Sequence, residues 1–118
     1  MNSITTLKQL QAQIRAFCDE RDWTQYHSPK ELAIGISTEA NELLEIFRFI
    51  KEDQLDDVLN QKKEAIANEL SDVFFYLLRF ADLYDIDLVS AFNNKMLINS
   101  QHYPVAKAFG SNKKYNEL

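Results

Sequence analysis

Two short stretches hold the residues best suited to chemistry. STEANELLEIF, residues 37–47, carries Glu39, Glu42 and Glu45 at intervals of three in an otherwise apolar segment. NELSDVFFYLL, residues 68–78, repeats the device with Glu69 and Asp72. Like charges three apart on a helix repel, at a cost of about a few tenths of a kcal/mol per pair, so a repeated pattern asks for a reason. Carboxylates are hard oxygen donors, and no histidine or cysteine shares these segments. That donor set suits Mg2+, with Mn2+ as a substitute, rather than zinc or copper. A ferritin-like di-iron bundle would need Glu-x-x-His on two helices, and His27 and His102 stand in no such motif. Mg2+ held by a few carboxylates keeps room for phosphate oxygens, which points to a phosphorylated small molecule. The competing explanation is that the acids are solvated or sit in ion pairs. Glu45, Glu52, Asp56, Asp57, Glu64 and Asp82 are read that way.

A helical wheel decides which acids point inward. At about 100° per residue, Leu32, Ile36, Leu43, Ile46, Phe47 and Ile50 form one apolar arc that includes Glu39, with Glu42 on its shoulder. On the second segment, Ile66, Leu70, Val73, Leu77, Phe80 and Tyr84 form a matching arc that includes Glu69, with Asp72 on its shoulder. If the two faces pack together, four carboxylates converge. Carboxylates buried without partners are costly to ionise. Among the basic residues only Arg79 lies near the side of Asp72, so a bound cation is the better account of the four.

These acids must ride on helices, and the chain is built for helices. It has 118 residues, two glycines and two prolines, with 46% apolar residues, too little punctuation for a strand protein. Helices are expected over residues 3–22 with Ser3 as cap, 29–51, 62–84, and 88–100 with Asp87 as cap. Ser28-Pro29-Lys30-Glu31 has the form of a capping box with proline at the first helical position. The polar connector KEDQLDDVLNQKK has room for a short helical turn, and the tail after Pro104 lacks periodicity. The expected class is all-α, a four-helix bundle-like single domain spanning residues 1–118.

The totals narrow the partners. A net charge of −5 repels nucleic acid and anionic lipid. The longest apolar run, residues 73–78, falls far short of a membrane span, and the first twenty residues lack a secretory core. The lone Cys18 reads as a packed core thiol in a reducing compartment. A cytoplasmic protein is expected.

Glu39-x-x-Glu42 on one helix and Glu69-x-x-Asp72 on the next resemble the signature of the MazG-like, all-α nucleotide pyrophosphohydrolases. ERDWTQYHSP, NELSDVFFYL, KMLINSQHYPV and the closing NKKYNEL resemble the dCTP pyrophosphatase branch of that family, from about Leu10 to the last residue. The resemblance implies Mg2+-dependent hydrolysis of a deoxynucleoside triphosphate, dCTP or a modified dCTP, to monophosphate and pyrophosphate, in the service of nucleotide-pool cleansing. It implies that Glu39, Glu42, Glu69 and Asp72 hold the metal. Glu42, on the shoulder, is the favoured general base, the alternative being that no separate base is needed.

The same resemblance assigns Trp23, Thr24, Gln25, Tyr26 and His27 to the base and sugar. Flat rings that stack and polar tips that read edges suit that task. Phe49 stands where the branch tends to carry tryptophan, so a ring is kept and an N–H donor lost. Tyr76 matches a tyrosine that reaches the nucleotide. Lys95 and Asn99, an i, i+4 pair, match a lysine and an asparagine near the phosphates, and Lys113 and Lys114 could fold over them.

The helix over 62–84 is apolar nearly all round, with Phe75, Leu78 and Ile86 pointing away from the main arc. Such a helix suggests another subunit. The family's dimers and dimers of dimers imply a homo-oligomer, a tetramer in the first instance. A non-catalytic nucleotide-binding relative and a purely structural bundle are the alternative readings.

Overall fold

The computed structural model describes residues 5–118, and Ser3 and Ile4 lie outside the described residues. The regular structure among those residues is helical, with no strand, as the scarcity of turn formers predicts. The described chain falls into two compact units, one ending at Asp85 and the other spanning Ile86–Leu118.

In the first unit, helix α1 covers Leu7–Glu20 and is capped by Thr6. Thr6 Oγ1 accepts from the Gln9 N–H at 3.2 Å, and Gln9 Oε1 accepts from the Thr6 N–H at 2.8 Å, which closes a capping box. The helix stops at Glu20 because Asp22 turns into the left-handed region at φ 55°. Gln25 Nε2 steadies that turn by donating to the Asp22 carbonyl at 3.0 Å and to Asp22 Oδ2 at 2.9 Å.

Helix α2, Pro29–Phe47, begins as expected, with Ser28 Oγ accepting from the Glu31 N–H at 3.1 Å and proline at the first position. It ends four residues before the expected Lys51, in a turn where Ile50 N–H donates to the Phe47 carbonyl. No glycine or proline marks that turn. The connector holds a 3-10 turn, Glu52–Gln54, and a two-turn helix α3, Leu55–Gln61.

Helix α4, Lys63–Leu83, packs along both α2 and α1. Its side chains Leu78, Arg79 and Ala81, with Leu32 of α2 and Cys18 of α1, are the buried residues. Cys18 is therefore the expected core thiol, and burial pushes its pKa up. Of the three residues expected to face another subunit, Leu78 is buried within this chain, Phe75 is half-buried and Ile86 is exposed. The Phe75 ring lies 6.1 Å from that of Phe17, and Gln11 Nε2 donates to the Leu78 carbonyl at 3.2 Å. Phe17 of α1 thus lies against part of the second apolar face of α4.

Past α4, Asp85 sits at φ 56°, the position after a helix where glycine is favoured because it has no Cβ to clash. Asp85→Gly is expected to stabilise the protein by about 0.5–1 kcal/mol, read as a raised urea midpoint. A lowered midpoint would show that the aspartate side chain contributes more than its backbone costs.

The second unit contains helix α5, Leu88–His102, with Asp87 Oδ1 accepting from the Ser90 N–H at 3.1 Å. The cap is the expected one. The helix ends ahead of Pro104, whose ring cannot follow a helical residue. A single turn, α6 (Val105–Ala108), and a 3-10 turn, Tyr115–Glu117, follow. Tyr115 stacks on His102 with centroids 4.1 Å apart and planes at 12°, so the tail has order that its sequence pattern does not announce. No helix among the described residues is long and apolar enough to cross a membrane.

Candidate active site

The packing of α2 on α4 brings together the four acids that the wheel placed on facing arcs. One carboxylate oxygen from each of Glu39, Glu42, Glu69 and Asp72 lies within 4.8 Å of the others. Glu39 and Glu69 are half-buried, and Glu42 and Asp72 are exposed, matching the inward and shoulder positions of the periodicity. Oε2 of Glu39 and Oε2 of Glu69 are buried without any hydrogen-bond partner. None of the ion pairs among the described residues involves the four: Arg15 pairs with Asp82, Arg21 with Glu20 and Arg48 with Glu45.

Proton sharing with Glu42 first, then burial and the charges of Glu42, Asp72 and Glu69, hold Glu39 up to about 7. Burial, followed by Glu42 and Asp72, pushes Glu69 in the same direction. Four acids whose inner oxygens lack donors are unfavourable as an isolated cluster and suited to a divalent cation. The orphaned oxygens are the observation that the donor set fits such an ion.

Tyr76 lies one turn beyond Asp72 on α4. Its phenol pKa is pushed up by burial and by the charges of Glu39 and Asp72. The ring packs against the backbone of α2 at Gly35, where a Cβ would fall 2.5 Å from Tyr76 Cε1. Gly35 is thus needed for close approach of the two helices at the acids. Gly35→Ala gains about 1 kcal/mol of helix propensity but overpacks at a cost of about 1–3 kcal/mol. A net loss of about 1 kcal/mol and a displaced Tyr76 are expected, checked by urea unfolding and a crystal structure. An unmoved ring would contradict the contact.

The segment after α1 folds into a 3-10 turn, Thr24–Tyr26. Trp23 is half-exposed and meets Phe17 edge-on at 5.4 Å and His27 at 6.4 Å. Tyr26 is 63% exposed, while Gln25 is occupied with Asp22. Thr24 and His27 face α4: Arg79 Nη2 donates to Thr24 Oγ1 at 3.0 Å and Arg79 Nε donates to His27 Nδ1 at 3.1 Å. Tyr84 Oη donates to the His27 carbonyl at 2.7 Å. Arg79, on the same face of α4 as Asp72, is in none of the ion pairs among the described residues. It is 1% exposed.

Phe49 is 82% exposed in the turn after α2, with the Arg48 guanidinium 4.8 Å from its ring centroid. It is open to stacking and is not joined to the 23–27 segment by any aromatic contact among the described residues. Lys95 and Asn99 lie on α5 in the second unit, Lys95 exposed and Asn99 half-buried. Residue types alone concealed Arg79, Tyr84 and Gly35. Arg79 alone had a visible signal in spacing, since Glu69, Asp72, Tyr76 and Arg79 follow one another at three, four and three residues on a single helix face.

The sequence pattern of the MazG-like family matches residues 34–118. The chain is 37% identical to dCTP pyrophosphatase 1 of Rattus norvegicus over 115 residues, 96% of this chain and 68% of that protein. It is 35% identical to dCTP pyrophosphatase 1 of Homo sapiens over the same shares. Its fold is similar to the crystal structure of a pyrophosphatase from Archaeoglobus fulgidus, with a TM-score of 0.81 and 37% identity, covering 88% of this chain and 97% of that one. Two carboxylate pairs on facing helices and these similarities place the chain in the MazG-like family, as a nucleotide pyrophosphohydrolase.

Proposed function

We propose that the protein hydrolyses a deoxynucleoside triphosphate, dCTP or a base-modified dCTP, to the monophosphate and pyrophosphate, with Mg2+ as the working metal and Mn2+ as a substitute. The single observation that carries this reading is the cluster of four carboxylates with two buried, unpartnered oxygens. Relatives named dCTP pyrophosphatase support the choice of base. Glu39, Glu42, Glu69 and Asp72 would hold the ion. Bound there, it supplies neutralisation of phosphate charge and makes water a stronger acid.

The chain's own groups do the rest. Glu42, exposed at the rim of the cluster, takes the proton of the water that attacks the α-phosphorus. Tyr76 lines the passage from acids to nucleotide. Trp23, Thr24, Gln25, Tyr26 and His27, with Phe49, enclose the base and sugar.

Exposed apolar side chains, Leu44 on α2 with Leu70, Phe74 and Leu77 on α4, support a homo-oligomer, a dimer or tetramer. The protein acts on free nucleotides in the cytoplasm, cleansing the pool, with neither nucleic acid nor membrane as partner.

The deciding experiment measures pyrophosphate release from each dNTP, and from 5-methyl-dCTP, in Mg2+ and then in EDTA. Release that prefers cytosine nucleotides and stops in EDTA is the expected result. No release from any nucleotide would remove the enzymatic reading, and tight binding without turnover would replace it with a nucleotide-binding one.

A further inference from the structure

We propose that Arg79 is a positioning residue for base recognition. Its guanidinium clamps residues 24–27 onto α4 and holds His27 as the tautomer protonated on Nε2, so the turn offers a donor to an acceptor on the base edge. The proposal rests on the reading above that residues 23–27 enclose the base.

Arg79 is almost wholly buried and stays charged, yet it takes part in none of the ion pairs among the described residues. Its bonded partners are neutral, a threonine hydroxyl and an imidazole. The nearest acid in this chain of bonds is Asp19, reached only through Thr24, whose hydroxyl donates to Asp19 Oδ1 at 3.5 Å. A buried cation without a direct counter-ion is costly, and its neighbours on the helix, Leu78 and Ala81, show that apolar side chains are accommodated there. Stability alone does not call for arginine at this position.

The bonds it makes have a chemical consequence. Guanidinium is a donor only, so His27 Nδ1, 3.1 Å from Arg79 Nε, must offer its lone pair. The imidazole is then neutral, with its one proton on Nε2. Burial, and secondly the Arg79 charge, lower the His27 pKa and reinforce the neutral form. Thr24 is held in the same way: its oxygen accepts from Arg79 and its proton goes to Asp19. Tyr84, the residue just past the end of α4, fixes the His27 carbonyl. The turn therefore has a defined donor pattern and a defined seat.

That seat is registered against the acids. Glu69, Asp72, Tyr76 and Arg79 lie on one face of one rigid helix, and the seven residues from Asp72 to Arg79 span about 10 Å at ~1.5 Å per residue. A single helix thus sets the separation between the groups that meet phosphate and the groups that meet the base.

Two variants test the clamp. Arg79→Met keeps length and apolar bulk but removes every donor. Arg79→Lys keeps the charge as a single point donor unable to serve Thr24 and His27 as the fork does. In both, KM for the preferred dNTP is expected to rise at least about tenfold and discrimination between bases to shrink by a similar factor, with kcat changed less than about threefold. Nitrogen NMR of His27 without nucleotide should show one tautomer, protonated at Nε2, in the native protein and an averaged mixture in Arg79→Met. Urea unfolding should find Arg79→Met at least as stable as the native protein, which separates recognition from folding. If that variant does not fold, Arg79→Lys carries the kinetic test.

An active native protein whose variants keep KM and base preference would overturn the clamp, as would a native His27 protonated on Nδ1. A native protein silent on every dNTP would instead overturn the functional reading, and base recognition by this turn with it. The tautomer spectrum distinguishes the two failures.

Discussion

Glu42→Gln should reduce the rate of pyrophosphate release by about 10²- to 10⁴-fold, the usual contribution of a general base, while KM for the nucleotide changes little. The substitution keeps the side chain's length and shape and removes both its charge and its ability to take a proton. Glu42 is exposed, at the rim of a cluster whose inner members are half-buried, so the amide exchanges one solvated end for another and the helix packing stays intact. Circular dichroism should match the native protein. Turnover within threefold of native would show that Glu42 neither takes the proton nor holds the metal decisively, and the proton acceptor would have to be sought elsewhere in the cluster.

Metal and pH should act on stability through the same carboxylates. An acid whose value in the folded state lies above that in the unfolded chain leaves the unfolded state with fewer protons between the two values, so folding stability falls as pH rises through that window. For Glu39 the window runs from 4.5 to about 7, and proton sharing with Glu42 and burial are its main causes. In EDTA, the native protein should therefore lose stability relative to Glu39→Gln as pH is raised from about 5 to 8, because the glutamine has no proton to lose. Saturating Mg2+ should reverse the loss. A ligand at 100 times its Kd contributes about 2.7 kcal/mol, and Glu39→Gln should forfeit most of that gain. Urea titrations of both proteins at several pH values, with and without Mg2+, read the effect directly. A native protein that tracks Glu39→Gln at every pH would mean that Glu39 keeps an ordinary carboxyl environment. An unchanged Mg2+ response would mean that it is not a ligand.

The helical class, the two acid-bearing helices and the division of the acids into inward and shoulder positions are legible in the residues alone. These follow from local rules: periodicity near 3.6, a proline and serine at the start of α2, an aspartate before α5, and too few glycines for strands. The arcs correctly anticipated that Glu39 and Glu69 would be half-buried and Glu42 and Asp72 exposed, since a side chain's angle on a helix is set by its own chain. Helix α2 ends four residues short of the expected Lys51 although nothing in residues 48–51 breaks a helix.

What α4 meets within the chain depends on packing. Leu78, read from periodicity as part of a face for another subunit, is buried in this chain, and Phe75 meets Phe17 of α1, because a wheel gives an angle and not the identity of the neighbour. Arg79 lies off the apolar arc, and its partners Thr24 and His27 stand more than fifty residues earlier in the chain. Gly35 looked incidental and proved to be where Tyr76 lies on the backbone. Hydrogen bonds and close approach depend on distances between segments far apart in sequence, and no local pattern encodes those distances.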